Sequence, residues 1–408
     1  MRATVSIPNG NEQDFEVDRR PRIALAAVAV VVAVATIAAM WFLWPRGGIR
    51  ATGAYRAVVR PQPTYRAAVV SATSEPCTTV GSPQMPSCLS DRIRLGSGPD
   101  TGRVVKLQFP DVPSSPKLRV GDPVFVARVP VAAVGPPYYY VDRDRSHVLW
   151  VLVGAFLGLV LLLGRWRGLM ALIGLGCSIG ILLVFVLPAI LSGRDPVVVA
   201  IVASSAIAFL ALYLAQGFSA VTTVALLGTL GGLAVAIVAA QLAVFAARFT
   251  GFSTEEAFLV SLGASNVDLS GLVLAGIIIG ALGAIDDMTV TQASTVAELL
   301  AASPEMSRRQ TFRSAMRVGR DHVASTVNTL VLAYAGASLP LLLLFLVTHR
   351  SWGSVISGEA VAVEIVRTLA GSLGLVAAVP ITTALAALSL GAKERWVYDG
   401  IDLLADER

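Results

Sequence analysis

From His147 onward the chain is a succession of runs of about 18 to 22 apolar residues. At about 1.5 Å of rise per helical residue, each is long enough to cross a hydrocarbon core of about 30 Å. A bilayer is the natural solvent for such runs. The composition agrees: 55% of the 408 residues are hydrophobic, 14% are charged, and the mean hydropathy is +0.71, which excludes a soluble domain with an ordinary charged surface. The net charge of +5 does not point to nucleic acid. The arginines are scattered between apolar runs, without an aromatic-interleaved basic patch, and orientation in the membrane explains them better.

The predicted fold class is mainly α, a polytopic transmembrane bundle of about eight spans with a small extracytoplasmic all-β domain. Residues 1–22 form a polar tail whose Arg2, Arg19, Arg20 and Arg22 hold it in the cytoplasm. Residues 23–44 are an anchor ending in Trp41-Phe42-Leu43-Trp44-Pro45, with no small-residue cleavage site. Residues 45–146 turn to Pro, Gly, Ser, Arg and Val in short pieces bounded by turn residues. Strands are predicted at Thr64–Ser71, Gly102–Phe109 and Pro123–Val129, and around Tyr138-Tyr139-Tyr140. Cys77 and Cys88 fall in this segment and either close a disulfide or stay free; Cys177, inside an apolar run, reads as a packing residue.

Residues 147–392 form a seven-helix membrane domain, with spans at 147–164, 168–191, 197–214, 221–246, 271–298, 325–348 and 362–391. Residues 393–408 are a second cytoplasmic tail. Alternating the spans from an inside N-terminus puts Arg165-Trp166-Arg167, the Arg308–Arg320 cluster, Lys393 and Arg395 inside, as the positive-inside rule requires. Both termini are then cytoplasmic.

The apolar part of the sixth span, Leu272–Ile285, is too short to cross alone, so its helix must continue through Asp286 and Asp287. Gly276, Gly280, Gly283, Asp287, Thr291, Ser294 and Glu298 recur every three or four residues and share one helical stripe. Its small residues permit close helix packing, and its polar end should face protein or water. A charged side chain at the centre of a span costs roughly 2.5–3.5 kcal/mol on insertion scales. The acidic pair therefore reads either as a proton or cation site or as a structural pair at the headgroup boundary. Ser303, Pro304 and Glu305 predict the start of a cytoplasmic amphipathic helix over about 303–322, whose arginines read as a solvated basic face beside anionic lipid, with a discrete lipid site as the alternative. His322 is a candidate proton relay, and Thr326, Asn328 and Thr329 are candidates to hydrogen-bond the carboxylates. Glu364 and Arg367 are spaced to pair, Pro380 invites a kink, and Asp268 reads as a helix cap. No Walker A loop, HExxH, GxSxG or CxxC is picked out, which argues against ATP hydrolysis, and no metal site or cofactor is expected.

Residues 280–294 (Gly-Ala-Leu-Gly-Ala-Ile-Asp-Asp-Met-Thr-Val-Thr-Gln-Ala-Ser), Val318-Gly319-Arg320-Asp321-His322 and 328–340 resemble the signature blocks of the YibE/F family of multi-pass membrane proteins. The resemblance covers most of residues 50–392 and implies an anchored extracytoplasmic domain, a membrane bundle and a bacterial inner (plasma) membrane location. More locally, the Gly-rich helix, Asp pair, amphipathic helix and Thr-rich helix are similar to the acidic span of RND-type permeases and the SecD/SecF proteins, where aspartates belong to a proton pathway. The chain departs from those proteins in having two additional spans before the acidic helix, one such half, and no membrane lysine. The resulting expectation is proton- or ion-coupled export of a solute, with Asp286 and Asp287 as the coupling site. Thr291, Glu298, His322, Asn328 and Thr329 would assist, and Gly276, Gly280 and Gly283 would serve helix packing. The alternative is a non-transporting scaffold or accessory subunit of an envelope complex. Expected partners are the bilayer, a solute or envelope protein, and a second copy of the chain; an enzyme is not expected.

Overall fold

The computed structural model describes residues 20–46, 63–75, 88–113, 115–128, 138–264, 266–347 and 351–390. Cys77, most of the 1–22 tail and the whole 393–408 tail lie outside them. The chain divides into two compact units, Gly53–Leu163 and the remainder.

The smaller unit carries an antiparallel sheet of β1 (Thr64–Glu75), β2 (Cys88–Leu95), β3 (Val104–Pro110), β4 (Pro123–Arg128) and β5 (Tyr138–Arg143), ordered β3-β2-β1-β4-β5. Alternate residues turn inward: Ala67 and Val69, Ile93 and Leu95, Val105 and Leu107, and Val124 and Val126 form one core with Tyr138. Gly121, at φ 92°, makes the turn into β4, a conformation that favours glycine. The register slips between Val69 and Ser71 and between Phe125 and Val126, and such bulges bend strands. The sheet curls into a half-barrel, so Phe109 and Tyr140, on its two edge strands, meet edge to face at 5.5 Å. β2 was missed in the sequence because Arg92 and Arg94 alternate with Asp91, Ile93 and Leu95, an arrangement that hides the apolar period. Cys88 opens β2 as a disulfide-bonded cysteine, while Cys177 is a free thiol.

The larger unit is helical. It contains α1 (Arg20–Leu43) and the greater part of a helical run made of α2 (Ser146–Ile181), a π-turn (Leu182–Val186) and α3 (Leu187–Leu191). Then come α4 (Pro196–Gln216), α5 (Ala220–Ala247), α6 (Glu255–Gly263), α7 (Leu269–Ala302), α8 (Arg308–Ala337), α9 (Leu339–Val347), α10 (Trp352–Ile356) and α11 (Glu359–Ser389). Six helical runs among the described residues are long and apolar enough to cross a membrane, and a seventh arises if α8 and α9, bent by 55°, form one span. The expected spans 147–164 and 168–191 come as a single run, broken at Arg165 (φ 47°, ψ −126°). The expected amphipathic helix at 303–322 is also different. Ser303 is the C-cap of α7, and α8 begins at Arg308, capped by Ser307 and Gln310 in a reciprocal box, then runs without interruption into the expected seventh span.

The tightest packing joins α5, α7 and α11. Gly228 and Gly232 lie four apart on α5, so they share a face and let backbones approach. A Cβ on Gly232 would stand 2.6 Å from Ala378 Cβ and 2.9 Å from Gly374 O, and one on Gly374 would stand 2.8 Å from Gly232 O. Ile285 of α7 fills the same junction, within 3.0 Å of both positions. At one end of the bundle Arg194 covers the Phe42 ring at 5.8 Å, and Glu359 accepts hydrogen bonds from Thr250 N (2.9 Å) and Gly251 N (2.6 Å). At the other end Arg22 Nε donates to Ser389 O at 2.9 Å.

Two expectations follow. Gly232→Ala should destabilise the chain by about 1–3 kcal/mol through overpacking, whereas Gly283→Ala, with nothing within 4 Å of its Cβ position, should be neutral or slightly stabilising; thermal unfolding in detergent measures both. In the sheet, Asp91 turns inward with Ile93 and Leu95, is 3% exposed, and leaves Oδ2 without a hydrogen-bond partner. Burial pushes its carboxyl above the ordinary value. The folded state then binds the proton more tightly than the unfolded state. Its contribution to stability is fully present below the ordinary carboxyl pKa of about 3.9 and is lost as pH rises through the raised value. The protection factors of the β2 amides in the full chain, which are the base-catalysed intrinsic rates divided by the observed exchange rates, should therefore fall across that rise, and Asp91→Asn should flatten this dependence.

Candidate functional site

Asp286 and Asp287 are adjacent on α7 but face different surroundings. One side of α7, through Ile278, Ala281, Leu282, Ile285, Thr289, Gln292, Ala293 and Val296, is buried against the bundle. Asp286 borders that side and is half-buried, while Asp287 is exposed. The predicted stripe is the exposed side: Gly276, Gly280, Gly283, Asp287, Ser294 and Glu298 are all open, and Thr291 is half-buried. The expected carboxylate pair is therefore split between two environments.

Depth follows from contacts and helical rise. A Cβ on Gly271 would meet Pro196 Cδ at 3.4 Å, which sets the start of α4 level with the start of α7. Asp286 is fifteen residues beyond Gly271, or about 22 Å, while the 21 residues of α4 cover about 31 Å. Asp286 thus lies within the thickness of the bundle, toward the Gln216 end of α4.

Its partner comes from α5. Thr229 Oγ1 is 3.4 Å from Asp286 Oδ1, 2.6 Å from Thr289 Oγ1 and 3.0 Å from Ala225 O. Thr289 Oγ1 is itself 3.0 Å from Asp286 O. Each hydroxyl has one proton to donate and more than one acceptor within reach. The donor to Asp286 is thus shared, and no cation is paired with Asp286 among the described residues. What the arrangement can do is hold a proton or small cation and change the direction of the Thr229 hydroxyl with its occupancy.

The other predicted polar residues are not gathered here. Thr291 Oγ1 donates to Asp287 O at 2.9 Å, Thr326 Oγ1 to His322 O at 3.0 Å and Thr329 Oγ1 to Ser325 O at 3.1 Å, so each hydroxyl serves its own helix. Asn328 and Thr329 are exposed, because α8 turns Val323, Val327 and Leu330 to the core instead. Neither His322 nor Glu298 joins Asp286. Gly276, Gly280 and Gly283 do not make the close packing within the chain: the Cβ positions of the first two meet only Arg367 Nη2 at 3.8 Å and Tyr334 Oη at 3.2 Å. Asp268 caps α7 as expected, and Arg367 Nη1 holds both Glu364 oxygens at 2.8 and 3.0 Å.

Sequence reasoning missed Thr229, although Gly228-Thr229 beside Gly231-Gly232 was a visible small-residue signal within an apolar run. It also missed the role of Gln292, 2% exposed, whose Nε2 donates to Ala315 O at 3.0 Å and Thr383 Oγ1 at 2.8 Å and so ties α7 to α8 and α11. The expectation that no GxSxG occurs needs correcting: Gly176-Cys177-Ser178-Ile179-Gly180 has that spacing, but it lies inside α2, where Ser178 Oγ donates to Gly174 O at 2.9 Å, and not on a strand-to-helix turn. No group of three or more His, Cys, Asp or Glu able to hold a metal occurs among the described residues.

A family profile described as YibE/F-like protein matches residues 152–392, which include Asp286, Thr229 and Gln292. No curated protein and no solved structure matches the chain.

Gln292→Ala should cost about 1–3 kcal/mol, because it strands buried partners on two helices, while Asn328→Ala and Thr329→Ala should stay within about 0.5 kcal/mol of the parent; thermal unfolding distinguishes them.

Proposed function

Because the chain belongs to the YibE/F-like protein family and carries six or more apolar helices of membrane length, we propose that it is a transporter. It exports a solute and couples that movement to a proton or small cation at Asp286. The observation that carries this reading is a carboxylate within the bundle whose hydrogen-bond partner is the Thr229 hydroxyl, itself 2.6 Å from Thr289 Oγ1, rather than a cation. Loading the site removes the need for Thr229 to donate to Oδ1 and frees its proton for Thr289 or Ala225 O. Occupancy is thereby felt at the α5–α7 interface, which is where a transporter needs it. Asp287, the half-buried Thr291 and the exposed Ser294 and Glu298 supply a hydrated approach along α7.

Orientation follows from charge. The bundle end marked by Arg22 and Ser389 also receives the arginines of the first turns of α8, while the opposite end holds Arg194 and Arg248; the positive-inside rule makes the first end cytoplasmic. Counting the Arg165 break and the α8–α9 bend as each adding a span gives eight, with both termini inside and the half-barrel outside a bacterial inner membrane. The competing reading is a non-transporting scaffold acting through the half-barrel, and its support is that this unit has a core of its own.

In proteoliposomes with an entrapped pH dye, Asp286→Asn should abolish the use of an imposed gradient, Thr229→Val should slow it by about tenfold, and Asp287→Asn should preserve most of it. Parent-like gradient use by Asp286→Asn would sink the coupling role. Loss of function on deleting the half-barrel, with Asp286→Asn harmless, would favour the scaffold.

A further inference from the structure

We propose that Arg313, Arg317 and Arg320 of α8 form a binding site for the phosphate headgroup of an anionic phospholipid. The site rests on the membrane assignment and is independent of coupling at Asp286. The three arginines are spaced i, i+4 and i+7, so they form one ladder along the helix. They line an open cleft of about 600 Å³ together with Gln310, Phe312 and Met316. Arg317 Nη2 is held by Ser314 Oγ at 3.3 Å, and no carboxylate pairs with any of the three among the described residues.

The packing of α8 fixes where the ladder points. Thr311, Ala315 and Gly319 are the buried residues of this helix, and Arg313 and Arg317 each follow one of them by two positions, about 200° around the axis. The guanidinium groups therefore turn away from the bundle. Depth is fixed as well. A Cβ on Gly319 would lie 2.9 Å from Gln292 Oε1, and Gln292 is 21 residues beyond Gly271, or about 31 Å, level with the far end of α4. Arg320 thus stands at the edge of the hydrocarbon layer, with Arg317 and Arg313 about 4 and 10 Å farther out, the depth at which lipid phosphates lie. Guanidinium forks bind phosphate oxygens in pairs, and Phe312 and Met316 offer an apolar floor for the glycerol and upper acyl chain. Depth and apolar lining together favour a lipid over a soluble phosphate.

The test is native mass spectrometry of the full chain, titrated separately with phosphatidylglycerol, phosphatidylcholine and inorganic phosphate in detergent at physiological salt. The expected result is retention of phosphatidylglycerol in preference to phosphatidylcholine. Arg317→Gln/Arg320→Gln should weaken it roughly thirtyfold, and the equally charge-depleted Arg308→Gln/Arg309→Gln should leave it within about threefold. Equal weakening in the two double variants would reduce the site to diffuse attraction and overturn it. So would the absence of lipid selectivity, or phosphate binding as tight as that of the lipid. Gradient use by the same variants reads the coupling proposal separately, so either can fail alone.

Discussion

In a bilayer the apolar surface of a helix gains nothing by leaving lipid for protein, so close backbone contact must hold the bundle together. That contact is the meeting of Gly232 and Gly374, where a single added carbon would collide with the facing backbone. Ile285 closes the junction from α7, and Asp286 is the next residue. Thr229 lies three residues before Gly232 on α5, so the packing that seats Ile285 also delivers a hydroxyl to the Asp286 carboxylate. The polar contact is a consequence of the small-residue contact. One helical turn or two farther along α7, Gln292 repeats the device toward α8 and α11, with Gly319 giving its side chain room.

The membrane character of the chain was legible because length and apolarity are properties of a run of sequence and need no knowledge of neighbours. The acidic helix was legible for the same reason: α7 is membrane-long only if it continues through Asp286. Periodicity also marked a real face in Gly276, Gly280, Gly283 and Asp287, but it could not say whether that face turned inward. Small residues suggested packing, yet the glycines that meet at the tightest junction are Gly228, Gly232 and Gly374, in stretches of α5 and α11 without a charged residue to mark one face. Asp286 and Asp287 looked equivalent in sequence; a rotation of about 100° between successive residues separates them.

Boundaries were read less well than elements. Ser303-Pro304-Glu305 has the composition of a helix start, but the turn it belongs to ends α7, and Ser307 with Gln310 makes the stronger reciprocal cap four residues later. In the half-barrel, strands with clear β-branched runs were found, whereas β2 was hidden by charges on its outer face and by Asp91 on its inner one. An inward carboxylate without a partner is costly, and nothing in a single sequence distinguishes it from a surface aspartate.

The account depends on Asp286 being the group that is loaded and unloaded. Infrared difference spectroscopy of the full chain in lipid, recorded across a pH titration and with candidate cations, reads carboxyl groups directly. The account predicts a carboxyl band that responds to pH or to one cation, disappears in Asp286→Asn and persists in Asp287→Asn. A responsive band that survives Asp286→Asn, or the absence of any band this substitution removes, would contradict it.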